Sequence, residues 1–151
     1  MRIIAERPIK GESKMGRFSV DLEVANGRDI MLVELGHLSP DVVRRVRIQG
    51  LVDPGATRLV LPSAVVKQLG LPTVEKIPVR YADGRKAQRD LVNYARVEIQ
   101  GRRGLVDAIA EPRRKTALIA AFVLEVLDFL VDCQKQRLVP RDPKHIMAEI
   151  E

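Results

Sequence analysis

The stretch Gly50-Leu51-Val52-Asp53-Pro54-Gly55-Ala56-Thr57-Arg58-Leu59-Val60-Leu61-Pro62 constrains this chain more than any other. An apolar run with strand character carries one acid to its end, Pro54-Gly55 turns the chain, and a second apolar run leads away. Asp, Pro and Gly in that order predict a type II β-turn. Taken alone, such a tripeptide is an ordinary turn. Its flanks add to it, because Leu51 and Val52 before it and Ala56, Leu59, Val60 and Leu61 after it enclose the tip in apolar sequence. A carboxylate held against apolar walls is costly unless it is paired, so Asp53 is the first candidate for chemistry.

The residues Leu51-Val52-Asp53-Pro54-Gly55-Ala56-Thr57, followed by Leu61-Pro62, resemble the active-site segment of the retroviral-type (retropepsin-like) aspartic proteases. That family reads Val-Asp-Thr/Ser-Gly-Ala, so Pro54 departs from it. A second block also resembles the family, whose second half carries two bulky aliphatics, a glycine and a short helix containing Leu-Glu. Leu118, Ile119 and Leu124-Glu125 match, and Ala120 stands at the glycine position. Read without the family, the block is a buried strand followed by a helix. Between the two blocks, Thr73 to Tyr81 and Ala87 to Leu91 bracket Ala82-Asp83-Gly84-Arg85, whose Asp-Gly signals a hairpin. By position this hairpin resembles the family's flap, which closes over a bound peptide.

The chain divides into an N-terminal arm over 1–15, a domain over 16–140 and a charged tail over 141–151 with room for one helical turn. Within the domain, alternation predicts a strand from Arg17 to Val24, and Asn26-Gly27 predicts a hairpin turn returning through Ile30 to Leu35. Gly36 to Asp41 reads as a loop and Val42 to Val52 as a strand. Pro62-Ser63 opens a short helix with Ser63 as N-cap and Gly70 as its end. Strands follow at Asn93 to Gln100 and Leu105 to Ala110, then a polar loop over Glu111 to Lys115. Phe129 to Cys133 and Arg137 to Pro140 form a closing hairpin. The strand series is mostly β, and the resemblance implies a closed antiparallel β-barrel with two short helices, after Pro62 and within Ala121 to Leu127.

With 151 residues, one domain can bury an adequate core, and 3% aromatic content requires that core to be aliphatic. The net charge of +6 favours acidic partners. Yet the basic residues fall in short clusters (Arg44, Arg45, Arg47; Arg102, Arg103; Arg113, Arg114, Lys115) without aromatics to stack on bases, so nucleic acid is a weak candidate. Cys133, as the single cysteine, excludes an internal disulfide and fits a reducing, cytoplasmic setting. No apolar segment is long enough for a signal peptide or membrane span. His37 and His145 have no ligand-like spacing, so no metal and no cofactor are expected.

The resemblance implies the chemistry. Two carboxyls about 3 Å apart share one proton; one acts as general base on a water while the other polarises the scissile carbonyl. A single acid turn then requires a C2 homodimer with Asp53 from each subunit at the axis and a peptide or protein as substrate. Gly55 would let the backbone approach and donate to the carboxylate, and Ala56 would keep the site uncrowded. Pro54 lacks the family's hydroxyl, which bonds across the axis at roughly 1 kcal/mol each. The alternatives are therefore an active endopeptidase and a domain of reduced activity that dimerises or binds peptides.

Overall fold

The computed structural model describes residues 17–151; the expected arm over 1–15 lies outside the described residues. Strand β1 (Phe18–Asn26) alternates as its sequence predicts, burying Phe18, Leu22 and Val24, and pairs antiparallel with β2 (Arg45–Val52) from Phe18↔Val52 to Ala25↔Arg45. The chain continues through β3 (Leu59–Pro62), β4 (Thr73–Arg80), β5 (Lys86–Ile99), β6 (Arg102–Glu111) and β7 (Ala117–Ile119). These strands lie in the order β1-β2-β7-β3-β6-β5-β4, and β5 pairs back onto β1. Six of them thus close into a barrel, and β4 continues outward from β5 as one arm of a hairpin. Its pairings are antiparallel except β2 with β7 and β3 with β6.

Closure depends on a corner in β5, expected as two strands and found as one of 14 residues. Its outer half, up to Val92, pairs with β4, and its inner half pairs with β1 from Ala95 to Glu98. Between them the β5–β6 register shifts between Val92 and Ala95, and Tyr94 adopts φ 67°. Such a bulge bends the strand and re-aims it toward a new neighbour. The barrel interior is aliphatic as composition required, with Leu22, Val52, Leu61, Val92, Ile99 and Ile119 all at 2% exposure or less.

The described residues hold three α-helices, one more than expected. Where Asn26-Gly27 was expected to turn the chain into a strand over Ile30 to Leu35, the structure has helix α1 (Gly27–Glu34). Asn26 is in extended conformation and its Oδ1 accepts from the N–H groups of Arg28 (2.8 Å) and Asp29 (3.1 Å), a helix N-cap. Its Nδ2 donates to Leu69 O at 2.7 Å, which ties the cap to the end of the next helix. A Cβ at Gly27 would meet Leu105 Cδ1 at 2.6 Å, the free end of an exposed side chain that can turn away, and Tyr94 O at 3.1 Å. Asn-Gly therefore serves a cap here, a role its composition shares with a hairpin turn. Pro40 and Asp41, expected in the loop before β2, form a 3-10 turn that also takes in Val42, so the strand expected from Val42 begins at Arg45.

Helix α2 (Ser63–Leu69) ends at Gly70 in the left-handed conformation, as predicted; Ser63 is its first residue, and Pro62 holds the cap position without a side-chain bond. Helix α3 (Ala121–Leu127) occupies its expected residues. A separate hairpin, β8 (Phe129–Asp132) with β9 (Arg137–Pro140), follows. The tail forms no helical turn. It is strapped down by Arg102, whose guanidinium donates to the carbonyls of Leu127 and Asp128 (both 3.2 Å), His145 (3.0 Å) and Asp142.

Candidate functional site

Asp53 stands one residue past β2, and three elements fix its backbone. β2 is paired to its last residue on both sides, with Val52 opposite Phe18 of β1 and Ile119 of β7. The Asp53 N–H donates to Ile119 O at 2.9 Å, which extends the β7 ladder into the turn. Beyond the turn, the Ala121 N–H donates to Ala56 O at 3.2 Å, so the acid loop hangs on both the strand and the helix of the second sequence block. The two blocks are thus joined in space. Gly50 makes this tight packing workable, because a Cβ there would meet Ile119 Cδ1 at 2.7 Å and Leu22 Cδ2 at 2.8 Å.

The turn closes through the Ala56 N–H and Asp53 O at 3.1 Å. It is not type II as expected, since Gly55 is not among the glycines with positive φ. What Gly55 supplies is proximity. Its N–H donates to Asp53 Oδ1 at 3.0 Å, and a Cβ on it would lie 3.2 Å from that oxygen. Pro54 and Ala56 are half-buried, while Gly55, Thr57 and Arg58 are exposed. Arg58 leaves the loop paired with Asp107 of β6 at 2.8 Å.

One partner of this carboxylate has no signal in the surrounding sequence. Arg17 Nη2 donates to Asp53 Oδ2 at 2.7 Å. The Asp53 side chain is 13% exposed and that of Arg17 40%. Both carboxylate oxygens are therefore engaged within one chain, Oδ1 by a backbone N–H and Oδ2 by a guanidinium. The signal for this pair was absent from local sequence, since strand pairing between Phe18 and Val52 brings the two residues together.

Ala120, the second departure from the family pattern, is fully buried with φ −86° and ψ 167°. That extended backbone suits any residue, and the methyl is buried within the chain.

The expected hairpin is present, with Arg80 opposite Lys86 as its last pair. Its tip is closed by the Tyr81 N–H to Arg85 O (2.9 Å) and the Gly84 N–H to Tyr81 O (2.9 Å), with Gly84 at φ 89°. Asp83 accepts from the Arg85 backbone N–H (2.9 Å) and Nε (2.7 Å), and these bonds hold its carboxyl below the usual range. Ala82, Asp83, Gly84 and Arg85 are exposed. Among the described residues, no hydrogen bond or ion pair links them to the acid loop. Nor do those residues include a group of three or more His, Cys, Asp or Glu placed to hold a metal ion. No helix among them is long and apolar enough to cross a membrane.

A family model described as aspartyl protease matches residues 42–119, which include the acid loop, the hairpin and β7. Among solved structures, the chain is similar to the solution structure of the simian foamy virus (mac) protease. The two share 15% identity over 71% of this chain and 91% of that one, with a TM-score of 0.46. Among curated proteins, nothing matches.

Proposed function

The chain belongs to the aspartyl protease family, and from that premise we propose that it is a homodimeric endopeptidase whose dyad is Asp53 from each of two subunits. The observation that carries this reading is the position of Asp53. It ends a strand braced on both sides, with the Gly55 N–H aimed at Oδ1 and the loop tied to Ile119 and Ala121. Preorganisation of this kind is what a carboxylate needs if it is to meet another at a fixed distance. One chain contributes one such acid, so the second comes from a copy related by a two-fold axis. The β8–β9 hairpin, separate from the barrel, is the element we assign to the interface.

In that dimer the two carboxyls share a proton because like charges so close do not both ionise. The ionised carboxyl takes a proton from a water as its oxygen attacks the scissile carbonyl. The protonated one donates to the carbonyl oxygen, giving a tetrahedral gem-diol. Collapse of this intermediate returns a proton to the departing amine and breaks the C–N bond. Pro54 supplies no hydroxyl or N–H to brace the two loops across the axis, so dimer affinity rather than site geometry is where this chain differs from the Thr/Ser pattern. The hairpin 73–91 is assigned to cover the bound peptide.

Arg17 on Oδ2 favours a second reading, a peptide-binding or dimerising domain with little turnover, because a guanidinium stands on the oxygen the dyad requires. Incubation with unfolded protein between pH 4 and pH 7, roughly the window for a singly protonated dyad, separates the two. Cleavage that is lost in Asp53→Asn supports the enzyme. Peptide binding without cleavage, unchanged in Asp53→Asn, supports the second reading.

A further inference from the structure

At the rim where the hairpin meets β6, a cluster of side chains lies outside the acid loop. Along the hairpin, Ile77, Val79, Tyr81, Ala87 and Arg89 are half-buried while Pro78, Arg80, Lys86 and Gln88 are exposed, so the first set shares the face turned to the barrel. From that face the Tyr81 hydroxyl donates to Glu111 Oε2 at 2.7 Å, and Arg89 Nε donates to Glu111 Oε1 at 3.3 Å. Glu111 ends β6, and its side chain is 13% exposed. The Arg85 guanidinium lies 4.8 Å from the Tyr81 ring centroid, on the side of the tip where it also pairs with Asp83. Burial, and then the bond to Glu111, raise the Tyr81 hydroxyl above its ordinary value of 10.0, so it stays a donor throughout the acid and neutral range.

Glu111 also begins the connection that leads into β7, whose Ile119 carbonyl holds the Asp53 backbone. Glu111 thus holds the hairpin through its side chain and opens, through its backbone, the connection to β7. We propose that Glu111 is a positioning residue: through Tyr81 and Arg89 it latches the tip Ala82–Arg85 to the barrel rim and so sets how the hairpin receives a peptide. This deepens the protease reading and rests on it for its kinetic consequence.

Amide hydrogen exchange and peptidase kinetics on the full chain test the inference together. Tyr81→Phe keeps the ring and removes the hydroxyl, so exchange at 81–85 rises roughly five- to tenfold, the factor for one net hydrogen bond. Exchange in β7 and α3 stays as in the wild type, and KM rises several-fold with kcat nearly unchanged. Glu111→Gln keeps an acceptor for the phenol and gives tip exchange between those of the wild type and Glu111→Ala. A purely structural Glu111 would instead loosen β6 and leave KM alone. Unchanged tip exchange in both Tyr81→Phe and Glu111→Ala overturns the latch, and a loosened tip with unmoved KM overturns its positioning role. A wild-type protein that cleaves nothing, while Tyr81→Phe still loosens the tip, refutes the protease reading and leaves the latch supported.

Discussion

Arg17 holds Asp53 by a 2.7 Å bond to Oδ2, while Gly55 holds the other oxygen of the same carboxylate at 3.0 Å. In the proposed dimer a second carboxyl and a water would also meet Oδ2, so assembly and Arg17 would compete for that oxygen. The pair is partly solvated, so the competition is modest, about 1 kcal/mol. Because a two-fold dimer holds two such pairs, Arg17→Gln is expected to tighten the dimer by up to about thirtyfold and to raise activity at subunit concentrations near the dimer Kd. Sedimentation equilibrium beside a peptide-cleavage assay measures both. Weaker dimers and lower activity in the variant would show that Arg17 supports the site instead of occluding it.

Gly50 is the packing constraint behind the acid loop. Adding a Cβ there drives it into Ile119 and Leu22 at under 3 Å, and both neighbours are buried at 2% exposure or less. Gly50→Ala should lower unfolding free energy by about 1–3 kcal/mol through overpacking. It should also reduce activity beyond the loss of folded protein, because Ile119 carries the carbonyl that holds Asp53. Urea denaturation followed by specific activity of the folded fraction separates the two effects.

Helix α1 supplies a pH-dependent contribution. Asp29 is buried and accepts from Arg44 through Nε (2.9 Å), Nη2 (2.9 Å) and the backbone N–H (3.0 Å). The side-chain bonds from Arg44 are the main cause holding its carboxyl below the ordinary 3.8, against an opposing effect of burial. A folded-state value below the unfolded one means stabilisation that is complete above about pH 4 and fades as pH falls through the lowered value. Asp29→Asn should therefore cost about 2 kcal/mol at pH 7. The gap to wild type should hold steady down to about pH 5 and narrow below pH 4 in denaturation curves taken across that range. A gap that widens on acidification would contradict the assignment.

Much of this architecture was legible because its signals are local. The alternation of Phe18, Val20, Leu22 and Val24, the Asp83-Gly84 hairpin, the glycine stop at Gly70 and the apolar blocks around Asp53 and Ile119 each specify their structure within a few residues. Asn26-Gly27 is ambiguous because an N-cap and a hairpin turn want the same residues; what favours the cap is Leu69 O, which takes the Asn26 side chain. The bulge at Tyr94 was hidden for a related reason, since only barrel closure demands a corner there. Arg17 on Asp53 and Tyr81 on Glu111 lie beyond local pattern: each joins residues far apart in the chain, 36 and 30 positions respectively.

The central claim is that each active site needs Asp53 from two subunits, and subunit mixing tests it most directly. Wild type and Asp53→Asn are unfolded together, refolded at a fixed total concentration well above the dimer Kd, and assayed on one peptide at mildly acidic pH. If the dyad is shared, mixed dimers carry a single carboxyl and are inactive, so total activity falls as the square of the wild-type fraction. Activity that falls in simple proportion to that fraction would mean that each subunit works alone, and would contradict the account.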